Sequence, residues 1–203
     1  MSAMPKLLLA TNNAGKVAEF RALLEGCGWE LVTPTEVGLA LDIDEVGQSY
    51  AENATLKATA YAQASGLTAL ADDSGLEVDA LDGRPGPRSA RYAGADRTDA
   101  ERVAALLGEL EGVSDERRTA RFRAVIAIAT PEGRVETVEG TVEGRIGHEP
   151  RGANGFGYDP IFVLPDRGLT TAELPSEEKH ALSHRGVAAR KARAVLERML
   201  ATG

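Results

Sequence analysis

Apolar residues recur with two spacings along this chain, and each spacing predicts a different element. Short apolar runs bounded by polar or glycine-rich segments predict strands. They cover residues 7–10, 30–33, 67–70 and 76–78. Apolar residues three and four apart, with alanine-rich composition in one case, predict helices. These cover residues 16–25, 48–65, 99–111 and 186–200.

The second half of the chain adds a predicted β-hairpin. Residues 120–129 and 134–143 flank the turn sequence Thr130-Pro131-Glu132-Gly133. Residues 83–88 alternate glycine and proline with arginine and predict a rigid loop. Helices and strands alternate early and strands follow one another later, so the pattern predicts an α/β fold with a mixed sheet.

Composition narrows the class of protein. With 203 residues, 43% of them hydrophobic and 27% charged, the chain is expected to form one domain, residues 1–203, with a sizeable core. No apolar run is long enough to cross a membrane and no secretory signal is evident at the start. Cys27 is the one cysteine, which excludes an internal disulfide and suits a reducing compartment, so we expect a cytoplasmic protein.

The net charge of −8 disfavours nonspecific binding to nucleic acid, which needs a basic face. It does not exclude an anionic small ligand, because a local group of cations and backbone N–H groups can oppose the overall field. An acidic enzyme acting on a polyphosphate is expected to use metal ions to offset part of that charge.

A carboxylate pair is the first candidate for chemistry. Ala71-Asp72-Asp73-Ser74-Gly75 follows an apolar run, and we expect the two acids at the end of a strand. Adjacent carboxylates repel each other and must stay solvated or find a cation. Oxygen-rich sites of this kind suit Mg²⁺. A polar turn after the strand is the alternative.

A second candidate lies between the first predicted strand and helix, at Thr11-Asn12-Asn13-Ala14-Gly15-Lys16. Backbone N–H groups at a helix start attract anions, and Lys16 adds a cation. The spacing is not that of a Walker A loop. A helix start capped by Asn13 is the alternative.

Glu45 lies in an irregular acidic stretch before the long predicted helix, followed by Gly47 and by Glu52-Asn53-Ala54. It is a candidate second metal ligand beside Asp73. A solvated acidic loop is the alternative.

Two further segments hold glycine-flanked aromatics and clustered donors. Gly152-Ala153-Asn154-Gly155-Phe156-Gly157-Tyr158-Asp159-Pro160 suits a pocket in which a ring stacks on a planar base, or a tight turn. Residues 176–186 contain Glu177 and Glu178, expected in the first turn of a short helix capped by Ser176, and then the donors Lys179, His184 and Arg185. No cysteine or histidine spacing indicates a zinc site.

The motifs occur in one fixed order: Thr11-Asn12-Asn13-x-x-Lys16, Glu45, Glu52-Asn53-Ala54, Ala71-Asp72-Asp73-Ser74-Gly75, Gly86-x-x-Ser89-Ala90-Arg91-Tyr92, Gly155-Phe156-Gly157-Tyr158-Asp159-Pro160 and Ser183-His184-Arg185. Together they resemble the inosine triphosphate pyrophosphatase family, which hydrolyses ITP, dITP and XTP. The resemblance runs from about Lys6 to the last predicted helix. One departure is Asn12, where the family often has glycine; asparagine tolerates left-handed backbone, so the role of the loop is expected to be kept.

The resemblance implies a long central mixed β-sheet, two lobes with the active-site cleft between them, and a homodimer. It implies Mg²⁺-dependent cleavage of a purine nucleoside triphosphate to the monophosphate and pyrophosphate. Asp73 is then the general base and a magnesium ligand, with Glu45 as the partner ligand. The implied substrate contacts are Thr11, Asn12, Asn13, Ala14, Gly15, Lys16, Ser74, Phe156, Gly157, Tyr158, Asp159, Lys179, His184 and Arg185.

Two other functions stay open from the sequence. One is a nucleotide pyrophosphatase of the septum-inhibitor type, acting on dTTP, UTP or modified pyrimidines; Phe156 to Asp159 and Ser183-His184-Arg185 favour the purine family. The other is a nucleotide-sensing module without turnover, which the acids Glu45 and Asp73 disfavour beside phosphate.

Overall fold

The computed structural model describes residues 4–43 and 47–202, which form a mixed α/β fold. The strands are β1 (Lys6–Leu9), β2 (Glu30–Val32), β3 (Thr68–Val78), β4 (Thr119–Ala129), β5 (Val135–Ile146), β6 (Phe162–Leu164) and β7 (Leu169–Thr170). The α-helices are α1 (Ala14–Leu23), α2 (Tyr50–Ser65), α3 (Asp99–Glu109), α4 (Ser176–Leu182) and α5 (His184–Thr202). None of the helices in these ranges is long and apolar enough to cross a membrane.

One sheet contains all seven of these strands, in the order β2-β1-β3-β4-β5-β6-β7. The strand β1 pairs in parallel with β2 and with β3, each connection passing through a helix. The strand β6 pairs antiparallel with β5 and with β7. The predicted mixed sheet is therefore confirmed, as is the predicted hairpin between β4 and β5, whose turn is closed by Thr130 N donating to Arg134 O at 2.9 Å.

Local sequence signals explain where the long helices begin. Helix α2 starts with a capping box, in which the Ser49 hydroxyl and the Glu52 carboxylate each accept a hydrogen bond from the other residue's backbone N–H. Thr98 and Glu101 form the same box at the start of α3. Helix α2 ends at Gly66, whose φ of 67° is a left-handed conformation that glycine adopts without strain.

The chain divides into two compact units. The first unit comprises Met1–Asp73, Ala124–Gly140 and Gly186–Gly203, and the second comprises Ser74–Arg123 and Thr141–Arg185. Each has a hydrophobic core of its own. The predicted active-site cleft between two lobes stays a prediction.

In the first unit, alternation along the strands sorts residues onto two faces of the sheet. Leu7, Leu9 and Leu70 pack with Phe20 of α1 and with apolar residues of α5. The intervening residues Leu8, Ala10, Ala69 and Ala71 pack with Ala54 and Ala58 of α2. Successive side chains of a strand point to opposite faces, so β3 presents even-numbered residues toward α1 and odd-numbered residues toward α2.

The second unit contains a buried arginine that donates to backbone carbonyls. Arg118 is 3% exposed and donates to the backbone carbonyls of Leu110, Ile146 and Gly147 at 2.9, 2.9 and 2.7 Å. Burial lowers its pKa below the ordinary value for arginine, although the guanidinium stays charged. This side chain joins the end of α3 to the end of β5.

Two sequence predictions about local structure are wrong. Residues 67–70 and 76–78 were expected to be separate strands, with the acid pair at the end of the first, but β3 runs without a break from Thr68 to Val78. The acids are tolerated inside the strand because each finds a polar partner on its own face, as described below. Helix α4 begins with Ser176 itself; Pro175 is the N-cap residue, and the expected side-chain cap is absent.

Candidate functional site

The acid pair in β3 has different surroundings on its two sides. Asp72 is 2% exposed and its Oδ1 lies 3.0 Å from Lys16 Nζ at the start of α1. Asp73 is 5% exposed and its Oδ2 accepts a hydrogen bond from Asn53 Nδ2 of α2 at 2.9 Å. Successive side chains of β3 point to opposite faces of the sheet, so Asp72 faces α1 and Asp73 faces α2. Asp72 therefore contacts Lys16, and Asp73 contacts the amide of Asn53.

The loop before α1 is organised by its own side chains. Asn13 is the N-cap residue of α1 and its Oδ1 accepts from Lys16 N at 3.0 Å. Thr11 Oγ1 accepts from Asn13 N at 3.2 Å. The helix start capped by Asn13, one of the two interpretations of this segment, is therefore present. It does not oppose an anion-binding role, because the cap fixes the first turn of α1 with Lys16 beside it.

Helix α2 brings a second lysine to the acid pair. Lys57 Nζ donates to the backbone oxygen of Asp72 at 2.8 Å. Lys57 and Asn53 are four residues apart and share one face of the helix. Neither residue had a predicted role, although their spacing on a helix that follows the acidic stretch was an available signal.

In the second unit, Asp159 organises the glycine-rich aromatic segment. It is 4% exposed, and its Oδ2 accepts from Phe156 N at 2.9 Å and from Lys179 Nζ at 2.7 Å. Its Oδ1 accepts from Thr171 Oγ1 at 2.9 Å. Asp159 was predicted to contact substrate, and in the structure it fixes the positions of two other predicted contacts, Phe156 and Lys179.

Two cations flank the Phe156 ring. Lys179 Nζ lies 5.1 Å and Arg185 Cζ lies 5.5 Å from the ring centroid, both within the range of cation–π attraction. Arg185 is 3% exposed and donates to Ser74 Oγ at 2.9 Å. The structure thus brings together Ser74, Phe156, Lys179 and Arg185, four of the residues predicted to contact substrate.

The two aromatic residues of the segment differ. Tyr158 is buried in the second unit's core, and its hydroxyl donates to Ser89 O at 2.9 Å. Burial raises its pKa above the ordinary value for tyrosine. Phe156 is half-buried, and its ring is the aromatic face available to a planar group.

His184 is positioned by aromatic stacking. Its ring lies 4.8 Å from the ring of Phe122, with 16° between the planes, and it is 7% exposed. Phe122 also contacts Phe162, at 4.4 Å between ring centroids. Sequence reasoning missed Phe122, because an aromatic residue in a strand is typical of a core.

The predicted second metal ligand, Glu45, lies outside the described residues. Within residues 4–43 and 47–202, no three side chains of His, Cys, Asp or Glu are close enough together to hold a metal ion. The pairing of Glu45 with Asp73 stays a prediction.

Comparison with known proteins gives the family. The model of the Ham1 family matches residues 7–195, nearly the whole chain and every motif of the site. The chain belongs to the Ham1 family. Among solved structures, a Ham1-family protein from Coxiella burnetii is 44% identical and has a TM-score of 0.88, with 96% of this chain and 100% of that chain covered. The α/β fold is therefore that of the Ham1 proteins.

Curated Ham1-like relatives of high identity share one name. A dITP/XTP pyrophosphatase of Desulforamulus reducens is 52% identical over 194 residues, covering 96% of each chain. A dITP/XTP pyrophosphatase of Bacillus subtilis is 47% identical over 197 residues, covering 97% of this chain and 100% of its own. These matches confirm the resemblance drawn from the motifs.

Proposed function

We propose that this chain hydrolyses ITP, dITP and XTP to the nucleoside monophosphate and pyrophosphate, with Mg²⁺, and so clears aberrant purine nucleotides from the cell. Its enzyme class, a nucleoside triphosphate pyrophosphatase, is supported by Ham1 membership and by relatives of that name at about half identity over nearly full length. That identity over the full length is the observation that carries the proposal.

The residues around Lys16 support the binding of a triphosphate. The first turn of α1 offers backbone N–H groups with the positive end of the helix dipole, and Asn13 fixes that turn. Lys16 lies on one side of the acid pair, in ion-pair contact with Asp72. In the proposed complex, Thr11 to Lys16 donate to the phosphate oxygens, since lysine and backbone N–H groups are donors and the acids are not.

Asp73 is proposed as the group that accepts a proton from the attacking water. Its carboxylate is held in place by a neutral amide, which stabilises the charged form without exchanging a proton. Cleavage between the α- and β-phosphates requires a water in line with the leaving pyrophosphate, and a fixed carboxylate can orient that water.

The donor chemistry at β3 fits a magnesium ion. Mg²⁺ takes one or two carboxylates and keeps its remaining positions for water and phosphate oxygens, and Asp73 is a buried carboxylate of that kind. Asp73 and Glu45 are the residues proposed to hold it. When bound, the ion would neutralise charge on the phosphate oxygens.

Base selection is proposed to rest on Phe156 with Lys179 and Arg185. A purine stacked on Phe156 would lie beside two side chains that only donate hydrogen bonds. The 6-oxo group of hypoxanthine or xanthine can accept from such a donor, whereas the 6-amino group of adenine cannot. An unmatched buried donor costs about 1–3 kcal/mol, which favours ITP and XTP over ATP.

We also propose that the protein works as a homodimer in the cytoplasm and binds no nucleic acid. The family resemblance supports the dimer, and the net charge of −8 disfavours nucleic acid. Sedimentation of the protein alone and with a labelled duplex tests both: a monomer, or co-sedimentation with the duplex, would contradict this assignment.

The substitution Asp73→Asn tests the catalytic assignment. It keeps the volume of the side chain and removes the carboxylate, so pyrophosphate release from ITP should be lost while ITP still binds. Asp166→Asn makes the same change at an exposed turn and should leave turnover unchanged. Near-normal release by the Asp73 variant would overturn the role of Asp73.

A further inference from the structure

Asn53 joins two parts of the first unit through one amide group. It is 2% exposed; its Nδ2 donates to Asp73 Oδ2 at 2.9 Å, and its Oδ1 accepts from Gly47 N at 2.9 Å. Capping of α2 does not require it, because Ser49 and Glu52 already form the capping box. Its side chain therefore serves another purpose.

The two contacts fix the orientation of the amide. A carboxylate accepts hydrogen bonds and a backbone N–H donates them, so Nδ2 must face Asp73 and Oδ1 must face Gly47. Turning the amide over would set donor against donor and acceptor against acceptor. Aspartate at position 53 could accept from Gly47 but could not donate to Asp73 while charged, so the pair of contacts calls for an amide.

The contact with Asn53 leaves no room for a side chain at Gly47. A Cβ on Gly47 would lie 2.5 Å from Asn53 Oδ1 and 2.9 Å from Glu52 Cβ. These distances are shorter than real Cβ atoms tolerate, and helix α2 is fixed by its cap. The lack of a side chain at residue 47 therefore lets the backbone approach the Asn53 amide. Residue 47 is also two positions after Glu45, the proposed partner ligand.

We propose that Asn53 is a positioning residue for the hydrolysis: one side chain sets the orientation of the Asp73 carboxylate and ties the backbone at Gly47 to it. The role rests on the proposed function, in which Asp73 acts on the attacking water. A small rotation of that carboxylate misaligns it with the in-line water, so loss of the amide lowers the rate of the chemical step more than it lowers nucleotide binding.

Two substitutions disturb the amide by independent routes. Asn53→Asp keeps the volume and the acceptor for Gly47 but replaces the donor to Asp73. Gly47→Ala leaves all polar groups in place and pushes the amide away by steric contact. Gln63→Glu, an exposed amide-to-acid change on the same helix, and Gly108→Ala, where a Cβ meets nothing within 4 Å, are the matched controls.

Steady-state hydrolysis of ITP and urea unfolding are measured for the single variants and for the double variant. Each single change should lower kcat about 10- to 100-fold, the usual range for a residue supporting a reactive group, with KM nearly unchanged. The double variant should lose no more than the worse single variant, because both act on one contact. Both controls should keep the wild-type kcat.

The role of Asn53 alone would be overturned by a kcat for folded Asn53→Asp equal to that of Gln63→Glu, or by losses that multiply in the double variant. A rise in KM at constant kcat would also overturn it, since that indicates a binding role. Absence of pyrophosphate release by the unchanged protein would overturn the proposed function and this role with it.

Discussion

Gly155→Ala is a sharp test of how the aromatic segment is held. Gly155 has a φ of 77°, and a Cβ there would lie 2.2 Å from Asp159 Oδ2 and 2.8 Å from Lys179 Nζ. The added methyl group must therefore separate the buried ion pair, which is 2.7 Å long and has side chains 7% and 6% exposed. Gly157, two residues later, has a φ of 63° and open space around its Cβ position.

The two glycines allow the free-energy cost to be divided. Alanine in a left-handed conformation costs about 1–2 kcal/mol, and both variants bear that cost. Only Gly155→Ala also disturbs a buried ion pair. Breaking such a pair completely costs roughly 3–5 kcal/mol, and movement of the two side chains would reduce that cost. The free energy of unfolding should therefore fall by about 1–2 kcal/mol for Gly157→Ala and by several kcal/mol more for Gly155→Ala.

Urea unfolding monitored by circular dichroism measures this difference, and ITP hydrolysis measures its effect on the site. Gly155→Ala should also raise KM for ITP, because Asp159 no longer fixes Lys179 and the Phe156 backbone. Equal destabilisation by the two substitutions would contradict this prediction, since it would mean that the ion pair adjusts to the methyl group without cost.

Three further predictions concern other parts of the second unit. Arg118→Met should lower the free energy of unfolding by several kcal/mol in urea, because the two buried carbonyls of Leu110 and Ile146 lose their donor at about 1–3 kcal/mol each and the half-buried one of Gly147 loses it too; a change under about 1 kcal/mol would contradict this. Burial, and then the hydrogen bond to Glu109, raise the pKa of Tyr92 to about 12. Since the unfolded value is about 10, Tyr92 stabilises the fold fully below about pH 10 and loses that contribution as pH rises toward 12. Between about pH 10 and pH 12, the urea midpoint of Tyr92→Phe should therefore fall less than that of the unchanged protein. An equal fall in both proteins would contradict this assignment. Arg185→Ala should lower the preference for ITP over ATP, measured as the ratio of kcat/KM values; an unchanged ratio would remove Arg185 from base selection.

Most helices and strands could be predicted from the spacing of apolar residues, because that spacing depends on the geometry of each single element. The helices predicted over residues 48–65 and 99–111 correspond to α2 (Tyr50–Ser65) and α3 (Asp99–Glu109). The error at β3 has a physical cause: a charged pair followed by glycine normally ends a strand. Lys16 and Asn53, distant in sequence, offset the cost of burying these acids, and a local pattern cannot show that.

The sequence motifs indicated which residues belong to the candidate site, but they did not indicate which side chains support them. Phe156, Lys179 and Arg185 lie together, as the motifs indicated. The supporting residues were missed: Asn53 was named within a motif without a role, and Phe122 has the appearance of an ordinary core residue. Supporting contacts depend on tertiary packing, so their residues carry little signal of their own in the sequence.

Pyrophosphate release from ITP, XTP, dTTP and ATP, each with and without Mg²⁺, distinguishes the proposed hydrolysis from the two alternative functions. We expect release from ITP and XTP only with Mg²⁺, and a kcat/KM for ATP and dTTP lower by on the order of 10- to 100-fold or more. Preference for dTTP would instead indicate the pyrimidine-directed activity, and tight binding of ITP with no pyrophosphate released over hours would indicate a sensor. Either result would contradict the proposed function.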